Sequence, residues 1–190
     1  MLDKFGTLFV GQVHHEELGF TAPSVNDRCY DDDTLASPLE TTIELAQLMD
    51  RLGYDTLWLA EHHFQREGYE CIPNIPLLAT HLASVTESLR FGCGFNVLPV
   101  WHPIRLAEDY AMADILTKGR VRLGVGRGYH ARELECLGEP RYSAADAREL
   151  FEEQVSVLLS ALREPSFSQD RKSTRLNSSH SSVSRMPSSA

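Results

Sequence analysis

The sequence predicts an α/β fold in which a parallel sheet is built from about four β/α units. Two observations carry this expectation. Short apolar stretches alternate with longer amphipathic ones, the signature of crossover connections. The strand-like stretches begin near residues 5, 56, 89 and 120, a spacing that leaves room for one helix after each.

Phe5 to Val13 reads as the first strand. The segment from His14 to Pro38, containing DRCYDDDTL, is long enough to be a functional lid or an irregular surface loop. Thr41 to Leu52 reads as the first helix, with Ile43, Leu45, Ala46, Leu48, Met49 and Leu52 on one face and Gly53 as its stop. Thr56 to Ala60 is the second strand and Ile75 to Val85 the second helix. Leu89 to Leu98 reads as the third strand, in which Gly92 and Gly94 mark a bulge or a close backbone approach. Ile104 to Leu116 is the third helix, opened by Pro103 and ended before Gly119. Arg120 to Val125 is the fourth strand. Ser143 to Leu162 is a fourth helix, with Phe151, Val155, Leu158, Leu159 and Leu162 as its apolar stripe.

A closed (β/α)8 barrel needs roughly 250 residues, whereas these four units occupy about 160 of the 190. Half of such a barrel, with a fifth strand due where the sequence stops, and a complete four-stranded doubly wound sheet both fit. Residues 170–190, DRKSTRLNSSHSSVSRMPSSA, show no apolar periodicity and read as a disordered polar tail. DRKSTRLNSSH (Asp170 to His180) and SRMPSSA (Ser184 to Ala190) also match one reading frame of a synthetic sequencing adapter. The expected organisation is therefore a partial domain over 1–169 and a non-native tail over 170–190.

The formal charge is −9. Setting aside Asp170 and the basic Arg171, Lys172, Arg175 and Arg185 leaves 14 Lys and Arg against 26 Asp and Glu, or −12. An acidic balance without a basic block argues against nucleic-acid binding. Cys29, Cys71, Cys93 and Cys136 have no CxxC spacing, so neither a zinc ribbon nor a disulfide framework is signalled. No apolar leader or membrane-length run is present, which points to a cytoplasmic protein with no membrane partner.

Polar groups gather where predicted strands end: His14 and His15, then Glu61, His62 and His63, then His102, then Arg127 and His130. Active sites of barrels are assembled from several strand ends. Imidazole and carboxylate are ordinary metal ligands. Adjacent strand residues point to opposite faces, however, so His62 and His63 do not share an ion without a bend, and no HExxH helix is present. Proton transfer by one histidine, its tautomer fixed by Glu61 or a backbone carbonyl, is the other chemistry this pattern supports. In RLGVGRGYH, Gly124, Gly126 and Gly128 either admit a planar ligand or its phosphate close to the backbone or serve a sharp bend. Their G-x-G-x-G spacing is not the dinucleotide fingerprint.

AEHHF after the second strand, NVLPVWHPIRLAEDYAMADILTKGR across the third helix and RLGVGRGYH after the fourth strand together resemble the bacterial luciferase-like flavin-dependent monooxygenases. The resemblance runs in order from about Phe5 to Arg163. It implies the N-terminal half of a (β/α)8 TIM barrel, binding reduced FMN, or in some relatives F420, at its C-terminal face. It further implies that dioxygen adds at flavin C4a and that the peroxide attacks an aldehyde or another small organic substrate. A separate flavin reductase and a dimeric whole protein are implied as well.

Carried over by residue, His62 matches the catalytic histidine. Glu61 and His63 match its neighbours beside the flavin, and Gly94 and Phe95 match a pair joined by a cis peptide under the isoalloxazine. His102 matches another active-site histidine, and Arg127 an arginine near the flavin. Gly126 stands where light-emitting members have a reactive cysteine, which argues against light emission and leaves monooxygenase chemistry in place. The family's phosphate-anchoring residues lie mainly in the second half of the barrel. The 190-residue chain is therefore expected to associate through its open edges and to bind FMN weakly. An F420-dependent oxidoreductase, a metal-dependent barrel hydrolase and an inert fragment are the alternatives.

Overall fold

A computed structural model describes residues 4–14, 24, 27–137 and 144–168. The tail over 170–190 and His15 lie outside the described residues. In chain order the elements are β1 (Gly6–Phe9), α1 (Asp32–Arg51), β2 (Thr56–Leu59), α2 (Ile75–Ser84), β3 (Arg90–Cys93), β4 (Asn96–Val97), α3 (Pro103–Thr117), β5 (Val121–Arg122), β6 (Val125–Gly126), α4 (Ala131–Leu137) and α5 (Ala144–Arg163). They divide into two compact units, Met1–Asn96 with Arg120–Gly124, and Val97–Gly119 with Val125–Ala190.

The first unit holds a four-stranded sheet in the order β1-β2-β3-β5, every pair parallel. Parallel neighbours demand crossovers, and the predicted alternation of strand and helix supplies them. Leu57, Leu59, Phe91 and Cys93 fill one face and are buried, as are Ala46 and Met49 of α1 and Ile75, Ala79 and Leu82 of α2. Each such large side chain contributes about 1.5–3 kcal/mol by leaving water. On the other face the register sets Leu8 beside Trp58, Trp58 beside Gly92 and Gly92 beside Arg122. A Cβ on Gly92 would stand 2.2 Å from the Trp58 ring, so the glycine expected to mark a close approach does so for an indole.

Helix α1 begins nine residues before the predicted start at Thr41, and so occupies part of the predicted loop. Asp31 caps it by accepting the Thr34 N–H at 2.8 Å, with Asp32 and Asp33 in the first turn. Pro38 within the helix cannot donate to the Thr34 carbonyl. The Ser37 hydroxyl donates to that carbonyl instead, at 2.7 Å.

The predicted third strand is broken: β3 ends at Cys93, the Gly94–Phe95 peptide is cis, and Asn96 and Val97 form β4. The fourth is likewise split at Leu123 and Gly124, where a Cβ on Gly124 would stand 2.0 Å from the Cys93 carbonyl oxygen. Between α2 and β3 the chain is clamped from both sides. Asp50 accepts the N–H groups of Glu87, Ser88 and Leu89 at 2.7–2.9 Å. The Arg120 guanidinium donates to the carbonyls of Ala83, Thr86 and Leu89.

In the second unit α3 packs on α5. Among the described side chains of α5, Leu150, Gln154, Val157 and Leu158 are buried, while Phe151, Val155, Leu159 and Leu162 of the predicted stripe are half-buried beside them. Helix α3 stops where Lys118 and Gly119 turn left-handed, with the Gly119 N–H bonded to the Asp114 carbonyl at 2.9 Å. No described helix is long and apolar enough to cross a membrane, and no disulfide forms among the described residues.

Candidate active site

The apolar strand β2 runs through Ala60 into Glu61, His62 and His63. Residues two apart in an extended chain share a side, and the Glu61 and His63 side chains meet, with Nε2 of His63 2.9 Å from Oε1 of Glu61. The Glu61 carboxylate is fully buried. Its other oxygen accepts the side-chain amide of Asn96, the residue that follows the Gly94–Phe95 peptide. A buried carboxylate is tolerable only with such partners.

His62 points the other way and finds a different acid. Its Nε2 lies 2.9 Å from Oε2 of Glu70, with side-chain exposures of 8% and 7%. The sequence left one histidine to be held by Glu61 or by a backbone carbonyl; in the structure Glu61 meets His63, and His62 meets Glu70. A tight reversal between the two explains how a residue eight positions on returns. Phe64, Gly68 and Glu70 all take positive φ, and the His62 N–H donates to the Ile72 carbonyl at 3.0 Å. The reversal is tied to the chain beyond β1 by Val13 N–H to Gly68 carbonyl and Cys71 N–H to Gly11 carbonyl, both 2.8 Å. Gly68, at φ +74°, has the Tyr30 ring 2.8 Å from where a Cβ would be. Burial, together with the charge of Glu67, pushes the Cys71 thiol up, so it is not an activated nucleophile.

At the end of β3, Gly94 bonds through its N–H to the Leu59 carbonyl at 2.7 Å. The nearest atoms a Cβ there would meet belong to Leu8, Trp58 and that carbonyl, at 3.8–3.9 Å, and Phe95 exposes 60% of its surface. The first unit thus brings together Glu61, His63 and Asn96, sets His62 on Glu70, and places Gly94 and Phe95 on the neighbouring strand end.

His102 and Arg127 belong to the second unit. His102 is the N-cap residue of α3, its carbonyl accepting the Leu106 N–H at 3.0 Å. Arg127 is exposed between β6 and α4, and His130 adjoins Tyr129, their ring centroids 4.3 Å apart. Gly128 has φ +76°, and a Cβ on it would lie 2.5 Å from a Val97 methyl. At Gly124 and Gly128, then, the close approach is made by the protein's own Cys93 and Val97.

The chain matches the family model described as luciferase-like monooxygenase over residues 17–188, and it belongs to that family. It is 35% identical over 132 residues to the oxygenase component of flavin-dependent trigonelline monooxygenase from Acinetobacter baylyi, covering 70% of this chain and 36% of that protein. It is 30% identical over 134 residues to the alkanal monooxygenase alpha chain of the Kryptophanaron alfredi symbiont, with the same coverage. Among solved structures it shares the fold of the oxygenating constituent of 3,6-diketocamphane monooxygenase from Pseudomonas putida, a type II Baeyer–Villiger monooxygenase in complex with FMN. The TM-score is 0.75 at 19% identity, covering 98% of this chain and 45% of that one. The chain thus spans just over a third of the length of the two monooxygenases matched by sequence and just under half of the solved structure, and has the fold of half a luciferase-like TIM barrel.

Proposed function

We propose that the chain carries the histidine-bearing half of a flavin-dependent monooxygenase that uses reduced FMN and dioxygen on an aldehyde or another small organic molecule. The observation that carries this reading is the pair of histidine–carboxylate contacts at the end of β2, beside the side-chain-free face of Gly94. That face, with Phe95 exposed next to it, suits a flat apolar ring, so Gly94 and Phe95 would hold the isoalloxazine with Glu61 and His63 alongside. For His102 and Arg127 the flavin-contact role rests on the sequence motif alone.

Bound reduced FMN would supply two electrons, so that one atom of dioxygen enters the substrate and the other leaves as water. His62, almost shut from solvent, would take up and return a proton during that exchange. Glu61 and Asn96 fix the strand end from which it projects. The trigonelline relative is an oxygenase component. A separate reductase delivering reduced FMN is accordingly part of this proposal, as is a dimeric, cytoplasmic whole protein.

The test supplies the chain with photoreduced FMN and 18O-labelled dioxygen, offering an alkanal, a cyclic ketone and trigonelline as probes, with product read by mass spectrometry. One label atom in a product, lost in His62→Ala, is the expected result. No labelled product from any of the three overturns the reading.

A further inference from the structure

Resting on the proposed role of His62, we infer that Glu70 is its positioning residue: it holds the imidazole as the Nε2–H tautomer and so assigns proton exchange to Nδ1. A carboxylate can only accept a hydrogen bond, and its oxygen lies 2.9 Å from Nε2. In the neutral ring the proton must then sit on Nε2, and the lone pair on Nδ1.

The backbone argues for the same role. Glu70 sits at φ +56°, a left-handed conformation that costs a residue with a side chain about 1–2 kcal/mol and glycine almost nothing. It is also a buried acid, which needs a partner to be tolerated. What a glycine at this position would lack is the carboxylate on His62. The whole reversal supports that placement, since Gly11 and Gly68 tie it to the chain after β1 and His62 closes it through Ile72. Glu61 cannot substitute, because it faces the other side of the strand end and is engaged by His63 and Asn96.

The test is 15N NMR of the chain labelled at the histidine ring nitrogens, with the His62 signals assigned by their loss in His62→Gln and read where the ring is neutral. Wild type is expected to show a protonated Nε2 and an unprotonated Nδ1. Glu70→Met, similar in length but without an acceptor, should give a mixture in which Nδ1–H is comparable to Nε2–H. Glu70→Gln, which keeps an acceptor oxygen, should restore Nε2–H. An Nδ1–H tautomer in wild type overturns the proposal, as does an unchanged tautomer in Glu70→Met whose other histidine signals match wild type. If Glu70→Met does not fold, Glu70→Asp replaces it: withdrawing the carboxylate by one methylene must move the Nε2 signal, and an unmoved signal overturns the proposal.

In turnover, Glu70→Met should lower kcat about 10- to 100-fold with KM within about two-fold, and Glu70→Gln should recover most of the loss. A changed KM with kcat intact overturns the positioning role. Should His62 prove silent in turnover, the tautomer result still stands or falls alone, so the two failures are distinguishable.

Discussion

Asn96 donates its side-chain amide to a Glu61 carboxylate that has no exposed surface, and so joins the end of β2 to the residue just past the Gly94–Phe95 peptide. Asn96→Ala should cost about 1–3 kcal/mol, the usual penalty for stripping a partner from a buried polar group. Asn96→Asp should cost more at neutral pH, because two buried carboxylates would then face each other. Urea midpoints followed by circular dichroism rank the two, and an Asp variant as stable as wild type would show that Glu61 does not depend on this donor.

In the whole protein, His62→Ala should lower turnover about 100-fold or more, on the scale of a lost general acid–base group, while reduced-FMN binding stays within a few-fold. Stopped-flow turnover and anaerobic flavin titration separate the two effects. A matching loss in both would make His62 a binding residue.

Asp50 predicts an acid-sensitive clamp. Burial pushes its carboxyl up, but the N–H groups of Glu87, Ser88 and Leu89 and the Ser88 hydroxyl outweigh that and bring it from 3.8 down to about 2. A lowered folded-state value gives stability that is present above the unfolded value and lost as pH falls through the folded one. The wild-type urea midpoint should therefore decline between about pH 4 and pH 2. Asp50→Asn should start lower at neutral pH and decline less across that window. Parallel curves would remove the clamp from the stability of the unit.

The sheet ends at β1 on one side and β5 on the other, and Leu8 of β1 is 55% exposed. Unpaired strand edges with apolar side chains favour association. Light scattering of the purified chain should show concentration-dependent oligomers, reduced in Leu8→Lys, together with FMN affinity weaker than micromolar. A monodisperse, cooperatively melting monomer with micromolar affinity would contradict both expectations.

The sequence predicted α2 and α3 to within a residue at either end; Pro103 and Gly119 are local signals for α3 that do not depend on distant contacts, and in the structure α2 carries the same kind of signal in its Asn74 cap and Pro76. The start of α1 was hidden because Pro38 reads as a break, and the Ser37 hydroxyl that repairs it is a side-chain choice no periodicity reveals. Strand periodicity could not show the interruption at Gly94–Phe95. The two-residue spacing of Glu61 and His63 did contain their pairing, since strand alternation puts them on one side. Glu70 was not legible from spacing to His62. The usable signal was REGYE itself, two acids around a glycine in a short turn, where a buried acid implies a partner within reach of the returning chain.

The indole of Trp58 lies against Gly92, and its Cε3 is 3.8 Å from where a Cβ on Gly94 would stand. The protein therefore contains an optical reporter at the strand end where a flat ring is proposed to rest. Isoalloxazines absorb where tryptophan emits, so occupancy of that surface should register as quenched intrinsic fluorescence, read in a Trp101→Phe background so that Trp58 is the sole tryptophan. Weak binding, invisible to separation methods, becomes measurable without any added label.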